Sequence, residues 1–169
     1  MAHDEQREFF NSVKEIFPEH FQDSKVLDVG SLDVNGNNRY LFDGCEYVGL
    51  DIESGKNVDI SSPVHLSGFP AGYFDTIISG ECFEHDRSFR WSIGAIVKML
   101  RKGGLFTMTC AGYNRPEHGT ENHDPDSSPF TNDFYQNRIA EDFKLDELKG
   151  VFTEARGGMD LYYAGVKNG

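Results

Sequence analysis

The stretch 25-KVLDVGSLDVNG-36 decides how this chain is read. Val26, Leu27 and Val29 surround one acid, Asp28, in a run of strand length that Gly30 ends. A polar loop then leads to a second glycine, Gly36. Directly after a buried strand, a residue without a Cβ lets a ligand approach the backbone. An ordinary strand-to-helix turn has the same look, so the rest of the chain must decide between them.

Upstream, residues 4–17 place Phe9, Phe10, Val13, Ile16 and Phe17 at helical spacing, with Pro18 as the stop. Downstream, residues 38–42 suggest a short helix. EYVGLD (46–51), residues 58–60 and FDTIIS (74–79) read as strands. A helix is expected over 87–101, where Phe89, Ile93, Ile96, Val97 and Leu100 share one face and Arg101-Lys102-Gly103-Gly104 forms the stop. Residues 105–110 give a fifth strand, 112–129 the longest loop, and 131–149 a further helix. Residues 151–155 and 161–166 flank the Gly157-Gly158 turn as two strands. Strands alternating with helices imply an α/β fold with a mostly parallel sheet. The closing pair is joined by too few residues for a parallel crossover, so one strand must be reversed near an edge.

The 169 residues suit a single domain spanning 1–169. Its expected parts are a leading helix (4–18), a binding core (22–111), a loop on the substrate side (112–130), and a helix with the final strand pair (131–169). A net charge of −12 repels nucleic-acid phosphates and anionic membranes, so neither is an expected partner. Cys45, Cys82 and Cys110 are far apart and odd in number, which argues against a disulfide framework or zinc site and for a reducing, cytoplasmic setting. No apolar run approaches the roughly 20 residues of a membrane span, and the charged start MAHDEQREFF lacks a signal-peptide pattern.

Open α/β sheets bind ligands at the carboxyl ends of their strands. Gly30 and Gly36 do not form the GxGxxG of dinucleotide folds. Asp28 and Asp33 flank the loop, where a pyrophosphate would meet carboxylates at short range. A cation is favoured instead. S-adenosylmethionine, with a sulfonium and an ammonium against one carboxylate, suits such a pocket. Asp51 ends the second strand about 20 residues on, where an acid accepts hydrogen bonds from ribose hydroxyls. Asp59-Ile60 ends the third and is placed for an adenine amino group and ring face. Taken singly, Asp51 also fits a helix cap and Asp59 a turn.

In order, VLDVG, YVGLD, VDI, FDTIIS-GECFEHD and LRKGGLFTMT resemble the class I S-adenosylmethionine-dependent methyltransferases over residues 22–111. That resemblance implies a three-layer α/β/α Rossmann-like sandwich with a seven-stranded sheet in the order 3-2-1-4-5-7-6. It also implies S-adenosylmethionine as cofactor, held at Asp28, Gly30, Ser31, Asp51, Ile52, Asp59, Ile60, Ser79 and Gly80. The common DxGxGxG loop is absent, since Ser31, Leu32 and Asp33 follow Gly30. The DVGSLDVNG form with Arg39 is similar to a subset of bacterial and phage methyltransferases. Arg39 is a candidate for the methionine carboxylate, or a solvated helix arginine.

Glu84-His85 reads as an acid/base pair or as a brace for the helix start. Arg115, His118 and His123 are the chemically useful groups of the long loop. Histidine suits a general base near pH 7, and His118 is the candidate catalytic residue, with a loop-bracing role as its alternative. His118, His123 and Asp124 lack diagnostic metal spacing, and no metal is expected. Tyr113, Phe130, Phe134 and Tyr135 either wall a substrate pocket or pack beneath it. The expected function is methyl transfer to a small-molecule acceptor. A non-catalytic S-adenosylmethionine or S-adenosylhomocysteine binder, a nicotinamide-dependent reductase and a scaffold without cofactor are the alternatives. The reductase would need the phosphate-cradling loop missing here.

Overall fold

The computed structural model describes residues 4–86, 88–112, 114–115 and 147–169. The expected base His118 lies outside them, as do His123, Asp124, Tyr113, Phe130, Phe134, Tyr135 and nearly all of the helix expected over 131–149.

Seven strands form one sheet in the order β3-β2-β1-β4-β5-β7-β6. They are β1 (Lys25–Val29), β2 (Glu46–Asp51), β3 (Ile60–Ser61), β4 (Phe74–Gly80), β5 (Leu100–Ala111), β6 (Leu148–Ala155) and β7 (Asp160–Lys167). β1 pairs in parallel with β2 and β4, and β4 with β5; β7 is antiparallel to both β5 and β6. Among the described residues β7 is therefore the one reversed strand, which agrees with the expected topology.

Helices α1 (Asp4–Ile16) and α2 (Phe89–Met99) serve different core clusters. α1 sets Phe10 and Val13 against Val26, Ile78 and Leu105. α2 sets Ile93, Ile96 and Val97 in the cluster that contains Leu27, Val29 and Ile77. Adjacent strand residues, such as Val26 and Leu27, thus enter opposite clusters, as the two-residue period of a strand requires. With both faces covered, the inner strands are buried almost throughout, which is why they read as apolar runs rather than alternating ones.

Several expected boundaries shift. α2 ends at Met99, and Leu100 already pairs with Phe74. The residues expected to stop the helix bulge out of β5: Phe74 faces Leu100, yet Thr76 faces Leu105. Gly103 sits there at φ +72°, and Arg101 Nε reaches across to the Asp75 carboxylate. Residues 38–42 form a single 3-10 turn, Arg39–Leu41, instead of a short α-helix. β3 begins two residues later than the expected 58–60, and Leu148 and Lys149 belong to β6 rather than to a helix. No helix among the described residues is long and apolar enough to cross a membrane.

Candidate functional site

The carboxyl ends of β1, β2 and β4 open onto a cavity of about 710 Å³, within the roughly 300–1,000 Å³ usual for small-molecule sites. β1 hands over to the loop at Gly30, whose φ of +78° disfavours any other residue. The amides of Gly30 and Ser31 both donate to the Leu50 carbonyl, at 2.9 and 3.1 Å, which seals the turn onto β2. A Cβ on Gly30 would stand 2.5 Å from the Cys82 Cβ. Glycine is thus required both by the turn and by the close packing of the β4 exit segment.

Asp51, at the end of β2, lines the cavity. Its carboxylate accepts from Leu32 N at 3.1 Å and Glu53 N at 3.0 Å, one bond on each oxygen. Each oxygen keeps a lone pair for a ligand hydroxyl. Asp28 also lines the cavity and is almost fully buried. Its two oxygens accept from the Tyr47 hydroxyl and from Asn38 Nδ2. Burial pushes its carboxyl up to about 6, against the opposing pull of those two donors. A nearby cation would hold it ionised. Ser31 lines the wall with its buried hydroxyl lacking a hydrogen-bond partner. Ile52 and Val34, 74% and 72% exposed, are apolar lips at the mouth.

Other expected site residues are placed elsewhere. Asp59 turns back into the sheet, where its Oδ2 accepts from Gly49 N at 2.7 Å and from Arg39 Nη2 at 3.4 Å. Ile60 packs against the core. Because β3 starts only at Ile60, residues 62–65 form that stretch of the cavity wall, and Asp59 and Ile60 do not line it. Ser79 is fully buried and donates to the Val29 carbonyl at 2.8 Å, leaving Gly80 as the residue of that turn on the cavity. Arg39 lies over the Tyr47 ring at 4.2 Å and bonds Asn57 and Asp59, so it braces β2 rather than reaching the cavity. Asp33 holds the loop itself, accepting from Gly36 N and Asn37 Nδ2 at 2.9 Å and pairing with Lys56 at 2.8 Å. Lys56 and these donors pull its carboxyl down to about 2.

Beyond β4, Glu81 adopts φ +52° and pairs with the buried Arg115, which also holds Asp160. Arg156 reaches the same Asp160 at 2.6 Å. Arg115, one of the chemically useful groups of the long loop, is thus enclosed by carboxylates. Glu84 is buried, and neither of its oxygens has a hydrogen-bond partner, although Arg115 Nη1 stands 3.8 Å away. Burial, reinforced by the charge of Glu81, raises its carboxyl from 4.5 to about 8. Its neighbour His85 lines the cavity.

This shift sets a pH dependence. The folded state keeps the Glu84 proton where the unfolded chain has lost it. The group's contribution is complete below pH 4.5 and disappears as pH rises through about 8. Between pH 6 and pH 9, the urea midpoint is expected to fall more for the wild type than for Glu84→Gln. Parallel profiles would mean that the proton is not held.

Sequence reasoning missed Gln6, Asn38, Cys82 and residues 62–65 as cavity wall. Gln6 left a signal: it shares the buried face of α1 with Phe10 and Val13, a polar residue in an apolar stripe. Among the described residues no group of three His, Cys, Asp or Glu is arranged to hold a metal.

No family model and no curated protein matches the sequence. Solved structures do match in shape. One is the Burkholderia thailandensis 1,6-didemethyltoxoflavin-N1-methyltransferase with bound 1,6-didemethyltoxoflavin and S-adenosylhomocysteine. It has a TM-score of 0.64 and 18% identity over 99% of this chain and 84% of that one. Haemonchus contortus phosphoethanolamine N-methyltransferase 2, in complex with S-adenosyl-L-methionine, gives 0.70 at 14% identity over 96% of this chain and 53% of that one. The Bacillus subtilis YcgJ protein gives 0.63 at 12% identity over 95% and 99%. At these identities the likeness establishes architecture, and the architecture is the Rossmann-like methyltransferase fold with its 3-2-1-4-5-7-6 sheet.

Proposed function

We propose that this chain is an S-adenosylmethionine-dependent methyltransferase acting on a small-molecule acceptor. The observation that carries the reading is the pairing of Asp51 and Gly30 on one cavity: an acid with free lone pairs at the end of β2, beside a backbone turn with no Cβ at the end of β1. The residues present fit this cofactor. Asp51 accepts from the ribose hydroxyls, and the Ile52 lip with residues 62–65 covers the adenine, taking the part first expected of Asp59 and Ile60. Asp28 supplies negative charge for the cationic end, and Gly30, Ser31 and Gly80 let the ligand lie close to the backbone. A phosphorylated nucleotide would meet Asp28 and Asp51 with no GxGxxG cradle to offset them.

Bound there, S-adenosylmethionine supplies a methyl group on a positively charged sulfur, open to in-line displacement by an acceptor atom. The protein's task is alignment and the exclusion of water. His118, which follows β5 in sequence, remains the proposed base. Structural neighbours named as methyltransferases of 1,6-didemethyltoxoflavin and of phosphoethanolamine support a small acceptor.

Two measurements test this. Calorimetry should detect S-adenosylhomocysteine binding to the wild type and a loss of about 1.5–3 kcal/mol in Asp51→Ala, the worth of hydrogen bonds to a charged acceptor. Unchanged affinity would remove Asp51 from the site. Release of S-adenosylhomocysteine from S-adenosylmethionine, in the presence of amine and hydroxyl acceptors, separates an enzyme from a binder without chemistry.

A further inference from the structure

We infer that Gln6, on the leading helix, receives the α-ammonium group of the donor's amino-acid arm. This rests on the reading above and assigns a residue that none of the strand-end motifs contains. Gln6 is only 5% exposed although it lies on a helix that covers the sheet. Its Nε2 donates to the Thr109 hydroxyl on β5, which fixes the amide plane. Its Oε1 is buried and has no hydrogen-bond partner. A buried carbonyl oxygen left in that state is costly, and a ligand that donates to it relieves the cost.

The position of Gln6 says which end of the ligand it meets. It lines the main cavity and also an adjoining one of about 270 Å³, and it shares both with Asn35, Gly36, Asn37 and Asn38 of the loop after β1. It stands against the exit of β4 as well: a Cβ on Gly80 would come within 2.9 Å of Gln6 Nε2 and 3.5 Å of Asn38 Nδ2. Asp51, Ile52 and residues 62–65 occupy the other side of the cavity, where the nucleoside is placed. The group that meets Gln6 is therefore the far end of the donor. Asp28 lines the same region, and each of its oxygens, like those of Asp51, keeps a lone pair, so it contributes charge and acceptor sites, while Gln6 adds a neutral acceptor that no described protein group occupies. Negative charge with a vacant acceptor selects an ammonium over a carboxylate.

The test compares two ligands by calorimetry, S-adenosylhomocysteine and its desamino analogue, which keeps the carboxylate and lacks the ammonium. Gln6→Leu is expected to weaken S-adenosylhomocysteine about tenfold and to leave the analogue unchanged. Gln6→Glu, which keeps the length and places a full charge at the same point, is expected to retain or strengthen S-adenosylhomocysteine binding. Equal losses for both ligands in Gln6→Leu, no loss for either, or weaker S-adenosylhomocysteine binding in Gln6→Glu would each overturn the assignment. A wild-type protein that binds neither ligand would instead bring down the cofactor reading on which it rests.

Discussion

Arg115→Met is expected to destabilise the protein by about 3–5 kcal/mol, the usual cost of removing one partner from a buried ion pair. The side chain of Arg115 is 9% exposed, and around it stand Glu81 at 13%, Glu84 at 1% and Asp160 at 2%. Methionine fills the volume but leaves Glu81 without a counter-charge. Asp160 keeps Arg156, and Glu84 already holds a proton near neutrality, so the loss falls mainly on Glu81. Urea unfolding of the single variant and of the Arg115→Met/Glu81→Gln pair separates the two contributions. The pair should recover at least ~1 kcal/mol, since neutralising Glu81 removes the stranded charge. A single-variant loss below ~1 kcal/mol would show that solvent reaches the cluster and that the pairing is weak. Function should suffer as well. Glu81 directly follows Gly80 on the cavity wall at a positive φ, and the Arg115 contact helps to hold it there.

The difference between what the chain pattern tells and what the folded site shows follows from side-chain direction. Strand existence was legible because β1, β2 and β4 are apolar runs with acids or glycines at their ends. The reversed β7 was legible because two strands joined by a short turn have one geometry open to them. Direction was not. β3 starts two residues later than the pattern suggested, so Asp59 precedes the strand rather than ending it. Asp59 therefore looks like a rim acid in sequence, but it closes a hydrogen bond to Gly49 N. Arg39 and Arg115 show the same limit. A cation near a ligand loop looks the same whether it meets a ligand or a buried acid, and only the three-dimensional neighbours decide. Gln6 was missed for the opposite reason: its partners, Thr109 and Gly80, are remote in the chain, and no local pattern joins them.

Gly49→Ala carries the other large expected effect. Gly49 lies inside β2, paired with Asp28, where a glycine interrupts a strand pattern and signals a close backbone approach. The neighbour is the segment before β3: a Cβ at Gly49 would stand 1.9 Å from the Asn57 carbonyl oxygen and 2.8 Å from Ser31 Oγ. No rotamer relieves a clash with a backbone oxygen, so the 57–59 segment must move. It is held in place by Asp59 N donating to the Gly49 carbonyl at 2.8 Å and by Gly49 N donating to Asp59 Oδ2. Asn57, at φ +68°, in turn ties the loop by donating to the Ser31 carbonyl at 2.9 Å. Overpacking at such a point costs about 2–3 kcal/mol. The displacement reaches the site through both ends of the contact, since Ser31 belongs to the Gly30 turn and Asp51 lies two residues along β2. Gly49→Ala should therefore lower the urea midpoint and weaken S-adenosylhomocysteine by more than tenfold. Gly94→Ala on α2, where the helical backbone accepts any residue and an added Cβ meets nothing within 4 Å, controls for substitution at a glycine away from the cavity. Retention of wild-type affinity and stability in Gly49→Ala would mean that the 57–59 segment yields freely and does not hold the cavity in shape.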